Sequence, residues 1–132
     1  MESKKMKLLK VYLSSTDRIN HVLLYEIIAK KAKDFGLAGA TASRAMLGYG
    51  PSSILRNTRY FELVEKYPVV MEMLDEADKI NGFMERELLP LLKEQPKGCL
   101  VYSLDVDMHL AKMGDTKKQA QHSIQTAEFA GT

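Results

Sequence analysis

The chain has a single cysteine, Cys99, so no intramolecular disulfide can form, and a reducing cytoplasm is the expected home. Its three histidines are scattered and give no zinc-ligand spacing with that one thiol, so no metal site is expected. The excess of charge is small, formally +2, with basic and acidic residues interleaved, which argues against a nucleic-acid binder and makes any basic site local. No apolar run approaches the roughly 20 residues that span a bilayer. The basic start "MESKKMKLLKVYL" has only a short apolar run broken by Lys10, and it reads as a first strand rather than a secretory leader.

What remains is one domain's worth of chain, 132 residues with 45% hydrophobic and 27% charged side chains. Residues 6–13 alternate, with Leu9, Val11 and Leu13 on one face and Leu8, Lys10 and Tyr12 on the other, as a strand does. "SSTD" offers caps for a helix of about five turns, with Ile19, Val22, Leu23, Ile27, Ile28 and Phe35 at helical spacing and Gly36 as its stop. Residues 40–48 read as a second strand and "YPVVMEML" as a third. Asp75 is expected to cap a second helix through Ile80, Phe83, Met84, Leu88 and Leu91, limited by Pro90. "CLVYSLDVDMHL" gives a fourth strand, with Leu100, Tyr102, Leu104, Val106 and Met108 expected inward and Ser103, Asp105, Asp107 and His109 outward.

The order β-α-β-β-α-β is the ferredoxin-like arrangement of the α+β class, two helices on one face of a four-stranded antiparallel sheet. Leu8, Tyr12, Val70, Leu74 and Val101 then fall on the other face, so an uncovered apolar sheet face and an oligomer are expected. The domain is read as residues 1–113, with 114–132 a polar, mobile or loosely docked tail.

The chemistry concentrates after the second strand. Gly48 and Gly50 flank Tyr49 and permit exposed backbone N–H groups to cradle an anion; Arg56 and Arg59 follow, Arg44 points out of the strand, and Lys97 and Gly98 form a second basic turn. Together these residues make a phosphate or carboxylate site by the bidentate geometry that arginine favours. On these residues alone an ordinary turn with solvated arginines is the better reading.

"GLAGATASRAMLGYG" and "YPVVMEMLDEADKI" carry G-A-T-x-x-R before G-Y-G and then P-V-V-x-E-x-x-D. In that combination the chain resembles the family of domain of unknown function 190, whose members resemble PII signalling proteins; the likeness spans most of residues 6–108. The resemblance implies a homotrimer with sheets facing inward, adenine nucleotides held in clefts between subunits, and a loop that reaches a protein partner such as a membrane transporter or an enzyme. Gly39 and Thr41 match the start of the second PII strand, Gly48, Tyr49 and Gly50 match its G-F-G run, and Lys97 and Gly98 match the phosphate-binding turn in character. The loop, about residues 49–59, is shorter than in PII and lacks the modified tyrosine, so control by uridylylation is not expected. The segment from Thr41 to Gly48 is one residue longer than in PII, and Ala45 stands where relatives have glycine.

Other classes fit less well. Asp105, Asp107 and His109, expected on one strand face, lack a nucleophile–base pair or further ligands, so an enzyme is not expected. An RNA-binding module of the same topology needs stacking aromatics that "ATASRAML" and "CLVYSLDV" do not supply. A trimeric scaffold that binds a partner without a small ligand stays open. The expected protein is a cytoplasmic, PII-like regulator that needs no cofactor and takes an adenine nucleotide as regulatory ligand.

Overall fold

The computed structural model describes residues 5–46 and 66–114. Four strands, β1 (Met6–Ser14), β4 (Ala40–Arg44), β5 (Pro68–Glu76) and β6 (Leu100–Val106), form an antiparallel sheet in the order β4-β5-β1-β6. Helix α1 (Leu24–Phe35) and the helical run α2 (Ala77–Phe83), π turn (Met84–Leu88) and α3 (Leu89–Glu94) cover one face. This is the ferredoxin-like α+β arrangement that the element order predicts.

The central strand sets the core. Leu9 and Val11 are wholly excluded from solvent and pack with Val69, Met71 and Met73 of β5 beneath Leu24, Ile28, Ile80, Phe83 and Leu88 of the helices. Phe35 meets Phe83 edge to face, ring centroids 5.6 Å apart, which ties α1 to α2.

Helix α1 is shorter than its apolar spacing predicts. Asp17, taken above as a capping candidate, instead folds back: its carboxylate accepts the Ser14 N–H (3.0 Å) and its carbonyl accepts the Leu24 N–H (2.8 Å). Between them a small hairpin, β2 (Arg18–Ile19) and β3 (Val22–Leu23), turns at Asn20 and His21, both with positive φ as a tight two-residue hairpin requires. The helix ends where expected, at Gly36 with φ 98°.

Asp75 likewise is not a helix cap. It is a buried strand residue whose carboxylate accepts N–H groups from Glu76 (2.6 Å) and Ala38 (2.9 Å) and faces Lys79 (3.3 Å), pinning the α1–β4 connection to the end of β5. Burial alone would raise its pKa; the two backbone donors and the Lys79 ammonium outweigh it and hold the carboxyl below the usual value. Pro90 does not end the helical run either. The Leu89 N–H bonds five residues back to the Met84 carbonyl, and this π turn passes the helix through a residue that has no N–H to give.

The largest correction concerns β6. Leu100, Tyr102 and Leu104 point away from the helices, 44%, 42% and 43% exposed, while Val101 pairs with Val11 and packs on the core. The strand also ends at Val106, so Asp107 and His109 lie beyond it and the expected common face of Asp105, Asp107 and His109 does not form. The second strand ends at Arg44; Leu47 and Gly48, and the tail from residue 115, lie outside the described residues.

Candidate functional site

Among the described residues nothing covers the second face of the sheet, which is built in rows. Leu8 sits between Leu74 and Leu104, and Tyr12 between Val70 and Leu100. Between these apolar rows runs a polar one, in which Lys10 stands between Glu72 and Tyr102, its ammonium 3.5 Å from the Glu72 carboxylate. The Tyr12 and Tyr102 rings stack with centroids 5.8 Å apart and hydroxyls 3.1 Å apart. Hydrogen bonds from Tyr102 and Lys10 lower the Tyr12 pKa. The face is thus apolar apart from a small charged island at its middle.

Arg44, the last residue of β4, pairs with Val69 and so lies on the helix side, where its guanidinium stacks on the Tyr67 ring 3.7 Å from the centroid. The next residue keeps the two strands together: the Ala45 N–H donates to the Pro68 carbonyl (2.9 Å). Tyr67 is held in turn by β1's end, its carbonyl accepting the Ser15 N–H (2.9 Å) and its N–H donating to Ser15 Oγ (3.1 Å). Arg44 and Tyr67 thus form the two feet of the chain segment that contains Gly48, Tyr49, Gly50, Arg56 and Arg59, all five of which lie outside the described residues.

Beside them opens a cleft of about 580 Å³ lined by Ser15, Thr16, Arg18, Leu23, Tyr25, Arg44 and Tyr67. Arg18 is anchored by donation from Nη1 to the His21 carbonyl (2.8 Å) across the small hairpin. Neither Arg18, Thr16 nor Tyr25 stands out in the sequence, because the hairpin that brings them to the feet of the loop reads there as helix.

Lys97 and Gly98 precede β6, where Gln95 organises the turn by accepting the Lys97 N–H (2.8 Å) and donating to its carbonyl (2.6 Å). Antiparallel pairing of Tyr12 with Leu100 puts this turn at the same end of the sheet as Arg44, but on the opposite edge. Three interstrand spacings, roughly 14 Å, separate the edges. A single chain therefore does not bring Arg44 together with Lys97. Cys99, next in line, is half-buried against the core; burial pushes its thiol pKa up and the nearby Asp17 carboxylate adds to that, so it is a protonated packing group. Among the described residues no group of three or more histidine, cysteine or acidic side chains gathers as a metal site, and no helix is long and apolar enough to cross a membrane.

Four antiparallel strands in the order β4-β5-β1-β6, with the helices packed on one face, make a ferredoxin-like α+β fold. The chain belongs to the family DUF190, "Uncharacterized ACR", whose model matches residues 6–108. A UPF0166 protein of Methanocaldococcus jannaschii is 33% identical over 114 residues, 85% of this chain and 96% of the relative, and one of Aquifex aeolicus is 38% identical over 81 residues, 61% and 77% of the two chains. Among solved structures, CPII of Thiomonas intermedia K12, bound to ADP, AMP and acetate, superposes with TM-score 0.52 at 12% identity over 80% of this chain and 91% of its own. A second structure of the same protein, described as a nitrogen regulatory PII-like protein and bound to ADP, AMP and bicarbonate, gives 0.50 at 13% identity over 80% and 97%. At such identities the likeness is one of fold.

Proposed function

We propose that the protein is a PII-like regulator that assembles as a homotrimer through its bare sheet face, binds an adenine nucleotide between subunits, and reports occupancy to a protein partner through the 49–59 loop. The observation that carries this reading is the position of its two basic elements. Arg44 and the Lys97–Gly98 turn share one end of the sheet and stand on opposite edges, so they converge on one ligand only if a neighbour's edge is brought alongside. The apolar rows of Leu8, Leu74 and Leu104 supply a surface for such a neighbour. CPII, which shares the fold, holds ADP and AMP, and that precedent names the ligand class. In this reading Arg44, Arg56, Arg59 and Lys97 offset phosphate charge, Gly48, Gly50 and Gly98 give it backbone N–H groups, and Tyr49 packs beneath it. No bond is made or broken; the nucleotide acts by preferring one loop state over another.

Calorimetric titration of the full chain with ATP, ADP, AMP and cyclic AMP, with and without magnesium, tests it. Saturation by one nucleotide at one site per chain is the expected result. Silence across the panel, from protein confirmed to be a folded trimer, would leave the partner-binding scaffold as the better reading.

A further inference from the structure

The cleft beside Tyr67 lies within a single subunit, and neither Lys97 nor Gly98 lines it. We propose that it is a binding site of its own, for a small organic oxyanion, a phosphate monoester or carboxylate carried on a planar body. The inference does not depend on the nucleotide reading, with which it shares only Arg44.

Charge points to an anion. Among the described residues two arginines line the cleft, no acidic side chain does, and neither arginine has a carboxylate partner. The nearest acid in sequence, Asp17, is buried and spends its carboxylate on the Ser14 N–H. Glu26, in the first turn of α1, is exposed and is not part of the lining. Leu23 and Tyr25, the N-cap residue and the second residue of α1, belong to the wall, and no side chain caps that helix. The positive end of the helix therefore borders the same space and adds to the field of the two guanidinium groups.

The arginines are also fixed in place. Arg44 is stacked on Tyr67, which leaves the edge of its guanidinium fork for an oxygen ligand. Arg18 is tied to the His21 carbonyl, and that bond depends on a turn in which His21 takes φ 70° and Asn20 φ 50°, a conformation that non-glycine residues adopt at some cost. The hydroxyls of Ser15 and Thr16 supply further polar groups on the wall.

Size and aromatic lining point to an organic body. A volume of about 580 Å³ is far larger than a bare phosphate needs and falls in the ordinary range for small-molecule sites, roughly 300–1,000 Å³. Tyr25 and Tyr67 bring aromatic side chains to the lining, and Leu23 an apolar one.

The test is calorimetric titration of the full chain at fixed low salt with four probes: phenyl phosphate, benzoate, inorganic phosphate and phenol. At least one aryl anion is expected to saturate at one per chain, about tenfold or more tighter than inorganic phosphate, with phenol silent; the tighter of phenyl phosphate and benzoate names the oxyanion. Arg18→Gln and Arg44→Gln should each weaken that binding about tenfold or more, while Lys30→Gln, on the exposed face of α1, leaves it unchanged. Circular dichroism establishes that each variant is folded. Absence of saturable aryl-anion binding by folded protein, binding no tighter than that of inorganic phosphate, or binding unaltered in both arginine variants would each overturn the proposal. Adenine nucleotides are absent from the probe set, so their failure to bind would leave this result standing.

Discussion

The guanidinium of Arg44 lies over the ring of Tyr67 at 3.7 Å, joining the last residue of β4 to the residue just before β5. These residues flank the segment that carries the glycine–tyrosine–glycine run, so the contact ties the end of β4 to the start of β5. A stacked arginine–tyrosine pair at a partly exposed site contributes about 0.5–1 kcal/mol. Arg44→Ala and Tyr67→Ala are expected to show a coupling of that size in a double-mutant cycle read by urea denaturation, while Tyr67→Phe behaves like the parent. A coupling near zero would mean that the two feet are positioned independently.

The bare face of the sheet makes the next prediction. Leu8, Leu74 and Leu104 form one apolar row, and a carboxylate placed there has no partner on its own subunit. Leu104→Asp is expected to convert an oligomer to folded monomers, seen as a threefold drop in mass by light scattering with unchanged circular dichroism. A variant that keeps the parent's mass would show that this face is not the contact.

Asp75 should govern part of the acid limit of the fold. Its folded pKa is depressed below the usual 3.8, so the stability it contributes is present in full above the unfolded value and is lost as pH falls through the folded one. Asp75→Asn removes an acceptor from the Ala38 and Glu76 N–H groups, and is expected to cost about 1–3 kcal/mol near neutral pH and to flatten the acid limb of stability against pH. A limb as steep in the variant as in the parent would assign it to other carboxylates.

Gly36 isolates a backbone effect. A Cβ at this position would meet nothing within 4 Å, yet φ is 98°. Gly36→Ala is thus expected to destabilise by about 1 kcal/mol through conformation alone, a shift visible in the thermal midpoint.

The sequence was informative where one face of an element is buried and the other is not. The alternation of Leu9, Val11 and Leu13 marked the core side of the central strand, and Gly36 marked the end of α1, because each rests on a local rule that the fold does not override. It misled at β6, where both faces carry apolar residues: alternation separates Leu100, Tyr102 and Leu104 from Val101 but does not say which set faces the helices, and the bulkier set faces the bare side. The β2–β3 hairpin was hidden because its turn uses Asn20-His21 rather than a glycine, and its apolar residues coincide with helical spacing. Arg18 and Tyr25 went unnoticed for the same reason. Of the residues read as a site, Arg44 ends its strand instead of lying within one that runs to residue 48, and Lys97 and Gly98 lie at the other edge of the sheet, a separation that only strand order reveals.

That separation allows a direct test of a shared, inter-subunit nucleotide site. Arg44→Ala and Lys97→Ala are first made as separate variants, each expected to assemble and to lose adenine-nucleotide binding. The two are then mixed, unfolded and refolded together so that subunits exchange. If the site is built from Arg44 of one subunit and Lys97 of its neighbour, nucleotide binding returns at about one interface in four, those that pair two intact halves. Mixed assemblies that have demonstrably exchanged subunits and still bind nothing would contradict a site shared between subunits.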